Sequence, residues 1–221
     1  MSYLPGMFPG ILNSMEFNLT FVGSTSNHLD SIDISTISPG AIQAGDLCLI
    51  FQYVTNGAPV DGTPSGFTEL IADSSGDSEI RAKISAKLLN GTETTVTGYL
   101  SATQYATMVL VFRPSRTIIN FVLGDSNSQI TDSDPAAQTI NSGGSPGIPT
   151  LAFGMMSTAG AAALDPRTIS PAMDEVELTG ALFLYGHYKI YNIGDTPANH
   201  SYDMDDEGGS NAILSGYLRF N

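Results

Sequence analysis

The side chains best placed for chemistry are Asp203, Asp205 and Glu207, set at alternate positions of Asp203-Met204-Asp205-Asp206-Glu207-Gly208-Gly209. Hard carboxylate oxygens on a short turn closed by glycine are what calcium takes, and the spacing follows the opening of a D-x-D-x-[DN]-G loop. The closing bidentate glutamate is missing, because Leu214 stands where a loop counted from Asp203 requires it. The stretch therefore reads first as a solvated acidic turn and second as a calcium site. No other metal or cofactor is expected.

Nucleophiles come next. Gly143-Gly144-Ser145-Pro146-Gly147 has the letters G-x-S-x-G, but an elbow serine must sit between a strand and a helix. Pro146 and Pro149, followed by an apolar run, predict a loop that leads into a strand instead. Cys48 lies in Leu47-Cys48-Leu49-Ile50-Phe51, where apolar surroundings raise the thiol pKa, so it reads as a small buried hydrophobe. His28, His187 and His200 are too dispersed for a zinc set; His187 is predicted on the wet face of a strand, the other two in loops. The 22 Asp and Glu leave room for a glycosidase carboxylate pair, yet there is no Trp to stack a sugar. Tyr185, Tyr191 and Tyr99 fall on the side of their strands away from the expected core, either as a sugar- or protein-binding face or as ordinary strand tyrosines. No catalytic residue is predicted, and the chain is not expected to be an enzyme.

Around these residues, 221 positions at 42% hydrophobic and 14% charged supply enough apolar material for a packed core. One cysteine excludes an internal disulfide, and no apolar run reaches membrane-spanning length. Eight Lys and Arg against 22 Asp and Glu give a net charge of −14, with the cations scattered, so neither nucleic acid nor an anionic membrane is an expected partner. Met1-Ser2-Tyr3-Leu4-Pro5-Gly6 has no basic n-region and no continuous apolar h-region, so no secretion signal is expected.

Alternation dominates the chain. Ile80, Ala82, Ile84, Ala86 and Leu88 alternate with Arg81, Lys83, Ser85 and Lys87; Leu182, Leu184, Tyr188 and Ile190 alternate with His187 and Lys189. Leu47 to Val54, Met108 to Phe112 and Ile118 to Leu123 are apolar on both faces and read as central strands covered on both sides. Turn residues at Asn56-Gly57, Asp61-Gly62-Thr63-Pro64 and Asn90-Gly91 separate the runs. The prediction is an all-β, sandwich or jelly-roll-like fold. An internal echo sets Asp46 to Phe51, Pro64 to Phe67, Ala86 to Gly91 and Met108 to Arg113 against Pro149 to Gly154, Ser170 to Met173, Tyr188 to Asn192 and Ile213 to Phe220. Two similar strand sets, 26–124 and 145–221, are expected to complete one sandwich over 26–221, joined by a polar crossover at 125–144 with one short strand near Gln138 to Ile140. Residues 1–25 are read as an extended N-terminal arm, with Leu4, Met7, Phe8 and Ile11 as apolar anchors between Pro and Gly.

Several stretches carry a family resemblance: Tyr188-Lys189-Ile190-Tyr191-Asn192, Asp203 to Gly208, Asn211-Ala212-Ile213-Leu214, Asp134 to Ile140, Ala44-Gly45-Asp46-Leu47 through Pro64-Ser65-Gly66-Phe67, and Pro5-Gly6-Met7-Phe8-Pro9. In these the chain resembles small virion structural proteins of tailed bacteriophages and prophages. The resemblance implies a β-sandwich or jelly-roll part of a virus particle, made in the host cytoplasm and released by lysis, and brings no catalytic residues. The expectation drawn from it is a homotrimeric capsid decoration or cement protein on the virion surface, whose arm docks on the major capsid protein or another virion protein. The rival readings are a tail or head fibre component that binds a host-surface glycan, and a free carbohydrate-binding module or glycosidase.

Overall fold

The computed structural model describes residues 17–29, 31–37, 42–55, 63–74, 80–97, 104–131, 135–143, 148–159, 167–180, 182–204 and 210–220. Within them the fold is all β, as its alternation predicts. The first half contains β1 (Leu19–Asn27), β2 (Ser31–Asp33), β3 (Leu47–Thr55), β4 (Thr68–Ser74), β5 (Ile80–Leu88), β6 (Thr95–Thr97) and β7 (Gln104–Pro114). The second contains β8 (Phe121–Thr131), β9 (Gln138–Ile140), β10 (Thr150–Thr158), β11 (Arg167–Ser170), β12 (Asp174–Leu178), β13 (Phe183–Tyr191), β14 (His200–Met204) and β15 (Asn211–Phe220).

Two five-stranded sheets result, β1-β7-β3-β5-β4 and β8-β15-β10-β13-β12, together with a two-stranded sheet β2-β6 and a three-stranded sheet β9-β14-β11. The large sheets have the same order strand for strand, and the small sheets match once β11 is set aside. Register agrees with order. Leu47 of β3 lies between Leu88 and Phe112, and Leu151 of β10 lies between Ile190 and Leu218. Each first strand slips register at the same place, just past Phe21↔Phe112 in β1 and past Leu123↔Leu218 in β8. The turns after β5 and β13 match as well: the Asn90 amide donates to the Glu93 carboxylate, and the Asn192 amide to that of Asp195. The echo in the sequence is thus a structural duplication.

The large sheets pack face to face, β4 on β8 as β1 on β12, and β7 on β13 as β15 on β5. Exchanging the halves maps each pair onto another, which is the arrangement of an isologous dimer within one chain. The shared core joins Leu49, Phe51 and Met108 of one half to Leu151, Phe153 and Leu214 of the other. Each outer face is covered by its own small sheet: Ile32, Ile34 and Val96 over Cys48, Ile50 and Val109, and Ile140 and Tyr202 over Ala152, Met156 and Ile213. Covering on both sides explains why β3 and β10 are buried at every position and why Leu47 to Val54 is apolar on both faces. Each fully buried Leu, Ile or Phe contributes about 1.5–3 kcal/mol to holding the layers together.

Three details differ from the sequence reading. Ile118 is buried, but the strand that follows starts at Phe121 and is the edge of its sheet, not its centre. The polar residues from Gly124 to Thr131, read as crossover, continue that edge strand, where one side needs no apolar cover; the short strand expected near Ile140 is β9. Residues 19–25, read as arm, form most of β1.

Candidate functional site

The outer face of the second large sheet carries a cluster of three ionisable side chains. β11 and β12 bring Arg167 and Glu175 together as a fork, with Nε to Oε2 at 3.0 Å and Nη2 to Oε1 at 2.7 Å. The Arg167 guanidinium also lies 3.8 Å from the ring centre of Tyr185. Register sets Glu175 opposite His187, and Nε2 of His187 sits 2.8 Å from Glu175 Oε2, so that nitrogen carries the proton and donates. Burial pushes the His187 pKa down to about 4; the Glu175 carboxylate opposes that shift and Arg167 reinforces it. The Arg167 hydrogen bond leads the forces that lower the Glu175 pKa, against burial and with help from His187.

An acid, a histidine and a serine stand in one row here, because His187, Gly154 and Ser215 are register partners across β13, β10 and β15. They form no relay. The Tyr202 ring lies over Gly154, so close that a Cβ there would fall 2.6 Å from its Cε1, and its hydroxyl reaches Met173 Sδ at 3.1 Å. The ring therefore fills the space between His187 and Ser215. His187 is buried, which corrects the wet-face expectation: its strand face is polar but roofed by the three-stranded sheet. Tyr185 and Tyr191 are buried under the same roof and present no binding face, while Tyr99 lies outside the described residues.

His200 is likewise no loop residue. It opens β14, is buried, and bridges two elements: Nδ1 donates to the Pro171 carbonyl at 2.9 Å, and Nε2 accepts from the Tyr191 hydroxyl at 2.8 Å. Burial lowers its pKa, the Pro171 bond opposes this, and Lys189 adds to it. The Tyr217 hydroxyl donates to the Ala198 carbonyl beside it.

Two surface pockets open between described residues of the first half. One, of about 400 Å³, lies between the Gln43–Asp46 turn and the end of β7 with the residues just after it. Its charges are engaged: Arg113 forks onto Asp46 at 3.0 and 2.9 Å, and the Arg116 guanidinium stands 5.5 Å from the Phe17 ring. The other, of about 240 Å³, lies between the Pro64–Phe67 turn, the end of β5 and β6. Lys87 spans it, 3.1 Å from Glu93 Oε1 and 5.8 Å from the Phe67 ring centre. Burial raises the Glu93 pKa, but the amide of Asn90 and the Lys87 ammonium more than reverse that and leave it lowered.

No family model, curated protein or solved structure matches this chain. Asp203 is an exposed residue of β14 opposite Thr168, whereas Asp205 and Glu207 lie outside the described residues; among those described, no three His, Cys, Asp or Glu are grouped to hold a metal. The anchors Leu4, Met7, Phe8 and Ile11 also lie outside the described residues, as do 144–147 of the G-x-S-x-G stretch. Cys48 is buried as expected, with its thiol pKa pushed up by burial. The Arg167–Glu175–His187 cluster escaped the sequence reading because its members sit on three strands. The pocket beside Phe67 escaped it too, because its lining comes from a turn, the end of β5 and β6.

Proposed function

We propose that the chain is a non-catalytic structural protein of a tailed-phage particle: a decoration or cement protein held as a homotrimer on the outer surface of the capsid. The observation that carries this reading is the duplicated sandwich, whose large sheets are both covered on both faces and whose outer faces carry the ion pairs of Glu175 with Arg167 and His187 and of Glu69 with Lys83. Such a body keeps its shape without cross-links, and a net charge of −14 per chain keeps the surfaces of separate particles apart. The segment carrying Leu4, Met7, Phe8 and Ile11 joins the body at Phe17, whose ring stacks on Phe220 at 5.7 Å. It is the proposed anchor on the major capsid protein.

A reconstruction of purified particles tests the assignment. Many copies at local threefold positions are expected; their absence from the particle overturns it, and a few copies at one vertex favour a tail part. Deleting residues 2–12 is expected to abolish particle binding with the melting temperature of the body unchanged. A second reading, a head or tail fibre component that holds a host-surface glycan, draws on the pocket beside Phe67.

A further inference from the structure

The two halves treat one cleft differently. In each, three elements meet: the turn before β4 or β12, the end of β5 or β13, and the short strand β6 or β14. Because Leu47 faces Leu88 and Leu151 faces Ile190, Leu89 and Tyr191 are equivalent positions. Val96 pairs with Ile32 and His200 with Ile140, each isoleucine being buried over its own large sheet, so Val96 and His200 are equivalent as well. In the second half the Tyr191 hydroxyl, the His200 ring and the Pro171 carbonyl join in one chain of hydrogen bonds and close the cleft. In the first half the smaller Leu89 and Val96 stand there, and the cleft is an open pocket of about 240 Å³. The second half shows that the fold does not need this opening.

We infer that the first-half pocket is a binding site for one neutral pyranose residue, a hexose or N-acetylhexosamine at the end of a glycan. The walls set the chemistry. Phe67 presents a part-exposed ring suited to the C–H face of a sugar, Leu89 and Val96 form a floor that is itself almost wholly buried, and Thr95 and Thr97 place hydroxyls at the exposed rim. Lys87 brings an ammonium with three donors, one of them directed to Glu93 at 3.1 Å. Glu93 is the residue that positions it, since its carboxylate also accepts the amides of Asn90 and Gly91, at 2.9 and 3.1 Å to Oε2. That paired lysine, on a chain of net charge −14, gives an anion no net attraction, while the satisfied carboxylate has little left for a cation. Uncharged hydroxyls both donate and accept, which suits a wall of hydroxyls and one fixed ion pair. A pocket of this size holds a single ring and not a drug-sized ligand.

The test is a titration of the full chain with the methyl glycosides of glucose, galactose, mannose, N-acetylglucosamine and N-acetylgalactosamine, followed by amide chemical shifts, with inorganic phosphate as a control. Saturable shifts in the millimolar range, confined to the amides of Phe67, Lys87 and Thr95–Thr97, are expected for at least one sugar. Two variants close the pocket: L89Y/V96H, which copies the second half, and T95Y, which fills it from an exposed position. A thermal melt establishes that each is folded, and T95Y keeps the test decisive if the double variant is not. Weakening by about tenfold or more in a folded variant supports the site. The inference is overturned if no sugar gives saturable shifts there, if binding survives T95Y unchanged, or if phosphate binds the same amides more tightly.

Discussion

Glu69 and Glu175 occupy the same position in the two halves, opposite Ser85 and His187 respectively. Both accept a cation from the outer face, Glu69 from Lys83 at 2.8 Å and Glu175 from Arg167 at 2.7 Å, but only Glu175 also holds a buried histidine. The two glutamates should therefore respond differently to the same change. Glu175→Gln leaves Arg167 and His187 facing an uncharged amide and is expected to cost about 2–3 kcal/mol. Glu69 is half exposed, and Glu69→Gln is expected to cost about 1 kcal/mol or less. Urea denaturation of both variants checks this; equal losses would mean that the His187 contact adds nothing.

His187 should make the protein acid-sensitive. Its pKa in the fold is about 4, below the 6.5 of a free histidine, so the unfolded chain binds the proton first as pH falls. Its contribution is therefore intact above pH 6.5 and is lost between 6.5 and 4. The full loss amounts to about 3 kcal/mol. The lowered pKa of His200 works in the same direction, and that of Glu175 extends the loss to lower pH. His187→Ser, which copies Ser85 of the first half, should flatten the dependence of urea stability on pH in that window. An unchanged slope would assign the effect elsewhere.

Two glycines separate rigid from yielding neighbours. A methyl on Gly154 would meet the Tyr202 ring at 2.6 to 2.8 Å, and the ring is fixed by the sheets around it. A methyl on Gly186 would meet Met108 Sδ at 2.5 Å, the middle of a flexible chain. Gly154→Ala is expected to cost about 3 kcal/mol, and Gly186→Ala about 1 kcal/mol. Adding Tyr202→Leu to Gly154→Ala should recover part of the first loss, a non-additivity that a double-mutant cycle measures.

Neither half should persist as a folded monomer, because each would expose the inner face of its five-stranded sheet, with Leu49, Phe51 and Met108 bare in one and Leu151, Phe153 and Leu214 in the other. Residues 17–117 expressed alone are expected to self-associate, a second copy taking the place of the missing half. Co-expression with 118–221 should restore a one-to-one complex. Light scattering coupled to gel filtration reads both outcomes; a stable monomer of 17–117 would show that the shared core is dispensable.

Much of this architecture is legible in the amino-acid order. Period-two alternation from Ile80 to Leu88, and runs apolar on both faces at Leu47 to Val54 and Met108 to Phe112, identify strands and what covers them, because side chains on a strand point alternately to its two sides. The echo that pairs Asp46–Phe51 with Pro149–Gly154 announces the duplication, since equal strand sets need equal patterns. What lies over a polar face is another matter. Alternation distinguishes the two faces of β13 but contains nothing about the strand from residues 200–204 that roofs one of them, so His187, Tyr185 and Tyr191 read as wet although they are buried. The same holds for the cleft that Tyr191 and His200 fill and Leu89 and Val96 leave open. Residues nine positions apart along the chain in one half and seven in the other become neighbours only when a short strand folds back across the sheet, and that contact is decided by tertiary packing, not by local pattern.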